Sequence, residues 1–163
     1  MDLRIEVAHV AATDPDVVPL LQALTAELAT GGYAADQTFG YSADQLVRSG
    51  VHLVAAWVGR RAVGVGGVEL QADGVAELKR FYVAPDHRGT GVADAIMAAL
   101  LAQAQADDVR QLRLETGDQQ HAALAFYRRH GFVRVPPFAP YESSATSVCL
   151  ERTLTGERPR DHR

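Results

Sequence analysis

Arg88, Gly89, Thr90, Gly91, Val92 and Ala93 place an arginine and two glycines directly ahead of a long apolar-periodic segment. Glycine is costly at a helix entrance unless the backbone needs unusual dihedrals or close approach. The first turn of a helix carries unpaired N–H groups, and bare glycines let an anion reach them, so the chemistry this spacing suits is capture of a phosphate or diphosphate. A tight strand-to-helix turn would use the same glycines, and the pair alone leaves both readings open. Neighbouring positions discriminate further. A nucleoside-triphosphate P-loop needs Lys and then Ser or Thr after its last glycine, and Val92 and Ala93 stand there, which removes that motif. A dinucleotide fingerprint needs a third glycine where Asp94 sits and an acidic residue closing the next strand. Glu115 meets the second condition, but that unit normally begins its fold, so it stays as a minor alternative.

The elements that must hold this loop are readable from periodicity. LRIEVAHV alternates as a strand, and TDPDVVPLLQALTAELATGG reads as a helix with prolines near its entrance and a closing glycine pair. The loop GGYAADQTFGY leads to a short helix, SADQLVRSG, with Ser42 as its cap. HLVAAWV, AVGVGGVEL and VAELKRFYV are strands joined by turns too short for parallel pairing, which predicts an antiparallel meander. After Val83 the period changes: Val92, Ile96, Met97, Leu100 and Leu101 share one side of a helix over about 91–106, and VRQLRLET returns as a strand. Strand, helix, strand is a right-handed crossover, so the strands ending at Val83 and near Thr116 should be parallel neighbours. DQQHAALAFYRRHG is a further helix ended by Gly131, and FVRV and SVCLERTL are the last strands. Residues 1–154 should form one domain, followed by a polar tail over 155–163 that is expected to fray.

RGTGVA fits the pattern Arg or Gln, two residues, Gly, one residue, Gly or Ala, and so resembles the acyl-CoA pyrophosphate loop of the GNAT N-acetyltransferase superfamily. ELKRFYVAPDHRGTGVADAIM is similar to that family's fourth strand, loop and third helix, including the Val-x-Pro link from Val83 to Pro85. QQHAALAFYRRHGF is similar to its next motif at Ala123, Tyr127, Gly131 and Phe132, with Gln120 where an asparagine is usual. The resemblance implies an α/β (α+β) GNAT fold: a mostly antiparallel mixed sheet, one splayed parallel strand pair, and helices on both faces. It also implies acetyl-CoA as cosubstrate. Arg88 and the amides of Gly89, Thr90, Gly91, Val92 and Ala93 would face the pyrophosphate, Phe81, Tyr82 and Val83 would pair with the pantetheine arm, and Gln120, Ala123 and Tyr127 would border the thioester.

The reaction so implied is N-acetylation of a primary amine by direct attack in a ternary complex. Tyr127 stands at the family position of the general acid, and a core tyrosine is the competing reading. Glu77 is the leading candidate for the base, a partner of Lys79 or Arg80 being the alternative, and Glu115 is second. Acceptor contacts are expected from Glu77, Tyr33, Phe138 and Tyr141, with Asp36, Phe39, Tyr41, Glu142 and the Trp57 strand nearby. Arg128 and Arg129 could meet the 3'-phosphate of CoA or simply be solvated at a helix end. The competing class is a non-catalytic acyl-CoA-binding module.

Composition bounds the partners. A formal net charge of -4 gives no basic field for nucleic acid, and no apolar run approaches the roughly 18 residues of a membrane span. A soluble, cytoplasmic protein is expected, since the single cysteine, Cys149, allows no internal disulfide. Cys149 itself reads as a small buried residue in SVCLE. The six histidines have no zinc-like spacing, so no metal is expected. The acceptor would be a small-molecule or peptide amine, and exposed sheet edges make a homodimer possible.

Overall fold

The computed structural model describes residues 4–30 and 42–154. Tyr33, Asp36, Phe39 and Tyr41, and the tail after Leu154, lie outside the described residues. Each alternating run forms a strand. β1 (Ile5–Val10), β2 (His52–Val58), β3 (Arg61–Leu70) and β4 (Val75–Val83) pair antiparallel in succession. The meander turns at Gly59, at Asp73 and at Gly74, all with positive φ, the backbone that tight hairpin connections require.

Helix α3 (Val92–Ala106) carries the chain back across the sheet to β5 (Gln111–Gly117), which lies parallel to β4. β6 (Val133–Arg134) and β7 (Ser147–Thr153) complete a sheet of order β1-β2-β3-β4-β5-β7-β6. The FVRV segment is thus a strand only at its two central residues. Helix α1 (Val18–Thr30) packs on one face with α2 (Ala43–Arg48), which Ser42 and Gln45 cap reciprocally. On the opposite face lie α3 and α4 (His121–Arg129). Two cores result, one of Val17, Leu21, Leu24, Val65 and Tyr82 under α1, the other of Ile96, Met97, Leu100, Leu112 and Leu150 under α3.

The approach of α3 to the sheet explains two glycines of β3. A Cβ on Gly64 would stand 2.7 Å from Ile96 Cδ1, and one on Gly66 would stand 2.9 Å from Ile96 Cγ2 and 3.1 Å from Leu100 Cδ1. The bare backbone lets Ile96 and Leu100 be fully buried, a gain of roughly 1.5–3 kcal/mol for each such side chain.

Two irregularities shape the centre of the sheet. β4 and β5 are paired only from Val75 to Glu77 against Gln111 to Arg113. Beyond that point β5 keeps to β7 as far as Gly117↔Ser147, while β4 keeps to β3 as far as Val83↔Gly64. The sheet therefore opens between them. The second irregularity is a bulge: Val65 faces Tyr82 and Gly67 faces Lys79, so Gly66 alone opposes both Arg80 and Phe81. Arg80 takes φ 56 to make it, and the extra residue disrupts the ladder at the widening gap.

Candidate active site

The loop between β4 and α3 is braced from its first residues. A 3-10 turn over Pro85–His87 is tied to the β2–β3 hairpin by Arg61, whose NH1 lies 2.6 Å from Asp86 Oδ2. Hydrogen bonds from Arg61 and then from His87 hold the Asp86 carboxyl down at about 2. Gly89 and Gly91 follow with φ 75 and 92, dihedrals that L side chains reach only with strain. A Cβ on Gly89 would meet nothing within 4 Å, and one on Gly91 only Ile5 Cδ1 at 3.8 Å. No described residue fills the space above the loop.

Gly91 is the N-cap of α3 and offers no side-chain cap, so the first-turn amides of this helix have no side chain bonded to them at the cap. Thr90 does not cover them, because its hydroxyl donates to the His87 carbonyl. Arg88 is fixed beside the loop: its Nε donates to the Val83 carbonyl at 3.0 Å, its NH2 lies 2.9 Å from Glu27 of α1, and its guanidinium stacks over Tyr82. Bare amides at a helix N-terminus with room above them fit a diphosphate.

From this loop a cleft of about 680 Å³ runs along the opening between β4 and β5. Phe81, Tyr82, Val83, Arg88, Gly89, Gly91 and Ala93 line one flank, and Gln120, Ala123 and Tyr127 line the other, with Leu114, Thr116 and Gly117. Of the residues expected to hold the cofactor, only Thr90 and Val92 are absent from this wall; Val92 is buried in the α3 core. A narrow gap between splayed strands, leading away from an anion cradle, has the shape for a diphosphate followed by a thin flexible arm.

Tyr127 lines the cleft and is 8% exposed. Its ring packs edge-on against Phe81, Phe126 and Phe132. Its hydroxyl bonds to none of the described residues. Burial, and secondarily the charge of Glu115, pushes the phenol well above its usual range. It is a neutral O–H with no partner among the described residues, available to donate.

At the far end stand the carboxylates. Glu77 is 1% exposed, its Oε2 accepting from the Tyr141 hydroxyl at 2.6 Å and lying 2.6 Å from Lys79 Nζ, while Gln71 donates to its Oε1 at 3.2 Å. Lys79 also bonds the Tyr141 hydroxyl, at 3.0 Å. Glu115 faces this group from β5. Burial raises its carboxyl above the ordinary range, a hydrogen bond with Ser147 counteracts part of that, and the charge of Glu77 adds to it.

Several expected contacts are displaced. Tyr141 does line the cleft, but Phe138 does not: it packs edge-on against Tyr141 and lies under the Arg113 guanidinium. Trp57 packs on the α1-side core and is absent from the wall. Arg129 does line the cleft and is paired there with Asp94, whose Oδ1 is 2.7 Å from His130 Nε2 and 3.0 Å from Arg129 NH2. Those two hydrogen bonds, that of His130 first, hold Asp94 below the usual carboxylate range. Cys149 is buried, and burial pushes its thiol up. Among the described residues no group of three His, Cys, Asp or Glu could hold a metal ion, and no helix is long and apolar enough to cross a membrane.

The antiparallel meander ahead of the loop removes the dinucleotide alternative, which needs a doubly wound parallel sheet. Comparison with known proteins supports the remaining one. Residues 20–132 match the acetyltransferase (GNAT) family. The chain is 32% identical over 147 residues to the uncharacterized N-acetyltransferase YedL of Escherichia coli K12, covering 87% of this chain and 92% of that one. A crystal structure from Klebsiella pneumoniae, provisionally described as an acyl-CoA N-acyltransferase, is 34% identical and superposes with TM-score 0.79 over 94% of this chain and 99% of its own. The PaiA N-acetyltransferase of Thermoplasma acidophilum, solved with coenzyme A, shares the fold at 17% identity, TM-score 0.75, over 93% of this chain and 99% of that one. The chain therefore belongs to the acetyltransferase (GNAT) family, whose activity draws on acetyl-CoA.

Proposed function

We propose that this protein transfers an acetyl group from acetyl-CoA to a primary amine by direct attack, with both partners in the cleft at once. The observation that carries this reading is the continuity of the cleft, which joins the uncapped glycine loop to the unbonded Tyr127 hydroxyl and then to the carboxylates. When bound, acetyl-CoA supplies the acyl group as a thioester, whose carbon an amine can attack and whose sulfur can leave.

The residues divide the remaining work. Amides of Gly89 to Ala93 hold the diphosphate, and the β4 edge from Phe81 to Val83 holds the arm. An ammonium has no free lone pair, so a carboxylate must first take a proton from the acceptor nitrogen. Glu77 already has three donors on it. Glu115, whose carboxyl burial raises above its ordinary range and which carries fewer donors, is the better proton acceptor, and Glu77 fixes Lys79 and Tyr141 in the acceptor wall. As the new C–N bond forms and the C–S bond breaks, the Tyr127 hydroxyl gives its proton to the departing sulfur.

Thiol release from acetyl-CoA across a panel of amines tests this directly. Turnover with any amine supports transfer. Coenzyme A binding without turnover across a broad panel would make the protein a binding module instead.

A further inference from the structure

Arg80 is the unexplained charge of this site. It is 9% exposed and borders the cleft. One terminal nitrogen, NH2, donates to the Leu21 carbonyl at 2.8 Å and to Thr25 Oγ1, both on α1. Its Nε is buried with no partner among the described residues. No carboxylate among the described residues pairs with it, because Glu77 is taken by Lys79 and Glu27 by Arg88. Burial alone drives its guanidinium downward, with no anion to oppose the effect. A buried guanidinium resting on neutral acceptors is costly unless a counter-charge arrives, and Arg80 itself takes left-handed backbone at the bulge.

Position indicates where that counter-charge comes from. The bulge turns Arg80 toward α1, whereas the adjacent Phe81 packs with the α3-side core. Phe81, Val83 and Tyr127 thus approach the opening from the α3 side, and Arg80, with its neighbour Tyr82, from the α1 side. The diphosphate has its own cradle at the loop. The anion for Arg80 belongs to the acceptor.

We propose that the acceptor is a small amino acid-like molecule, an amine carrying a carboxylate, and that Arg80 selects it by pairing with that carboxylate. This rests on the acetyl-transfer reading and names its substrate class. A carboxylate would take a charge-assisted hydrogen bond from the other terminal nitrogen, NH1, because NH2 is held by Leu21 and Thr25, while the ammonium is drawn to Glu115 and Glu77. A phosphate-bearing amine would bring a second negative charge beside those two carboxylates and Glu27, so a single carboxylate is the better match.

Wild-type protein would be assayed for thiol release with acetyl-CoA and matched sets of glycine, methionine, glutamate and phenylalanine, each set containing the free acid, its carboxamide and the amine lacking the carboxyl group. The free acid of at least one set should exceed its carboxamide in kcat/KM by roughly 10- to 100-fold, the range of a charge-assisted hydrogen bond, mostly through KM. In Arg80→Met that ratio should fall toward one, and in Arg80→Lys it should be intermediate. Turnover of carboxamides or simple amines as well as the acids, or an acid preference that survives in folded Arg80→Met, would overturn the inference while leaving transfer intact. No thiol release with any amine, in protein that still binds coenzyme A, sinks the transfer reading and this inference with it. Should Arg80→Met fail to fold because α1 loses its tether, the wild-type sets and Arg80→Lys decide.

Discussion

Replacing Tyr127 by Phe separates the catalytic role of this residue from its structural one. The ring stays, with its edge-on contacts to Phe81, Phe126 and Phe132. The deleted hydroxyl bonds to none of the described residues, so no hydrogen bond among them is lost and stability should stay within about 0.5 kcal/mol of wild type. Turnover should not stay. A positioned general acid contributes roughly 10²- to 10⁴-fold. A thiolate, whose conjugate acid has a pKa of about 8.5, leaves with less help than an alkoxide would, which places the loss near the low end. The expected fall in kcat is therefore about 100-fold, or about 2.7 kcal/mol in the barrier. Coenzyme A affinity, measured by calorimetric titration, should be nearly unchanged, because the diphosphate cradle lies elsewhere along the cleft. Thiol release under saturating acetyl-CoA gives the rate, and a thermal melt gives the control. Wild-type turnover in a folded Tyr127→Phe protein would refute the reasoning and return Tyr127 to the core.

Three further substitutions test other parts. Gly91→Val puts a side chain into open space at φ 92, so it should cost about 1–2 kcal/mol of stability through backbone strain; coenzyme A binding should weaken, and unchanged affinity in the titration would count against the cradle. Glu115→Gln should lower kcat and flatten the acidic limb of the pH–rate profile, while stability at neutral pH rises. The sign follows from a carboxyl raised in the fold: the native state holds its proton more tightly than the unfolded chain, so wild-type stability declines as pH climbs from the unfolded value near 4.5 through the higher folded one. Melts at pH 4 and pH 7 should show the variant's advantage only at the higher pH. His52 behaves oppositely. Burial, then the neighbouring His9, lowers it from 6.5, so the unfolded chain binds the proton more readily and stability falls as pH drops below 6.5. The acid-side decline in melting temperature should be smaller in His52→Gln, and an equal decline would remove His52 as its source.

Local pattern carried much of this architecture. Short turns forced the β2–β3–β4 meander, and the crossover through Val92 to Ala106 forced β5 to run parallel to β4. RGTGVA announced the loop because its chemistry is a matter of backbone and depends little on distant residues. What sequence could not show depends on pairing across the chain. The bulge at Arg80 exists only relative to Gly66 on a neighbouring strand, so no period in VAELKRFYV reveals that Lys79 and Arg80 both leave the apolar face. Tyr141 reaches Glu77 across 64 positions, after the PPFAPY turn, whose geometry set which aromatic faces the cleft: Tyr141 does, and Phe138 backs it. Gly64 and Gly66 read as weak strand residues until Ile96 is seen against them. Glu77 and Tyr141 were legible as acceptor contacts, whereas Arg80, in the same charged run as Glu77 and Lys79, read only as a partner for Glu77.

The central claim is that bare amides at the start of α3 grip a diphosphate and so bring a thioester to Tyr127. A crystal structure with bound coenzyme A tests it most directly. The account predicts the diphosphate on the amides of Gly89 to Ala93 and the sulfur within hydrogen-bonding reach of the Tyr127 hydroxyl. A diphosphate seated away from that loop, or a sulfur with no approach to Tyr127, would contradict it.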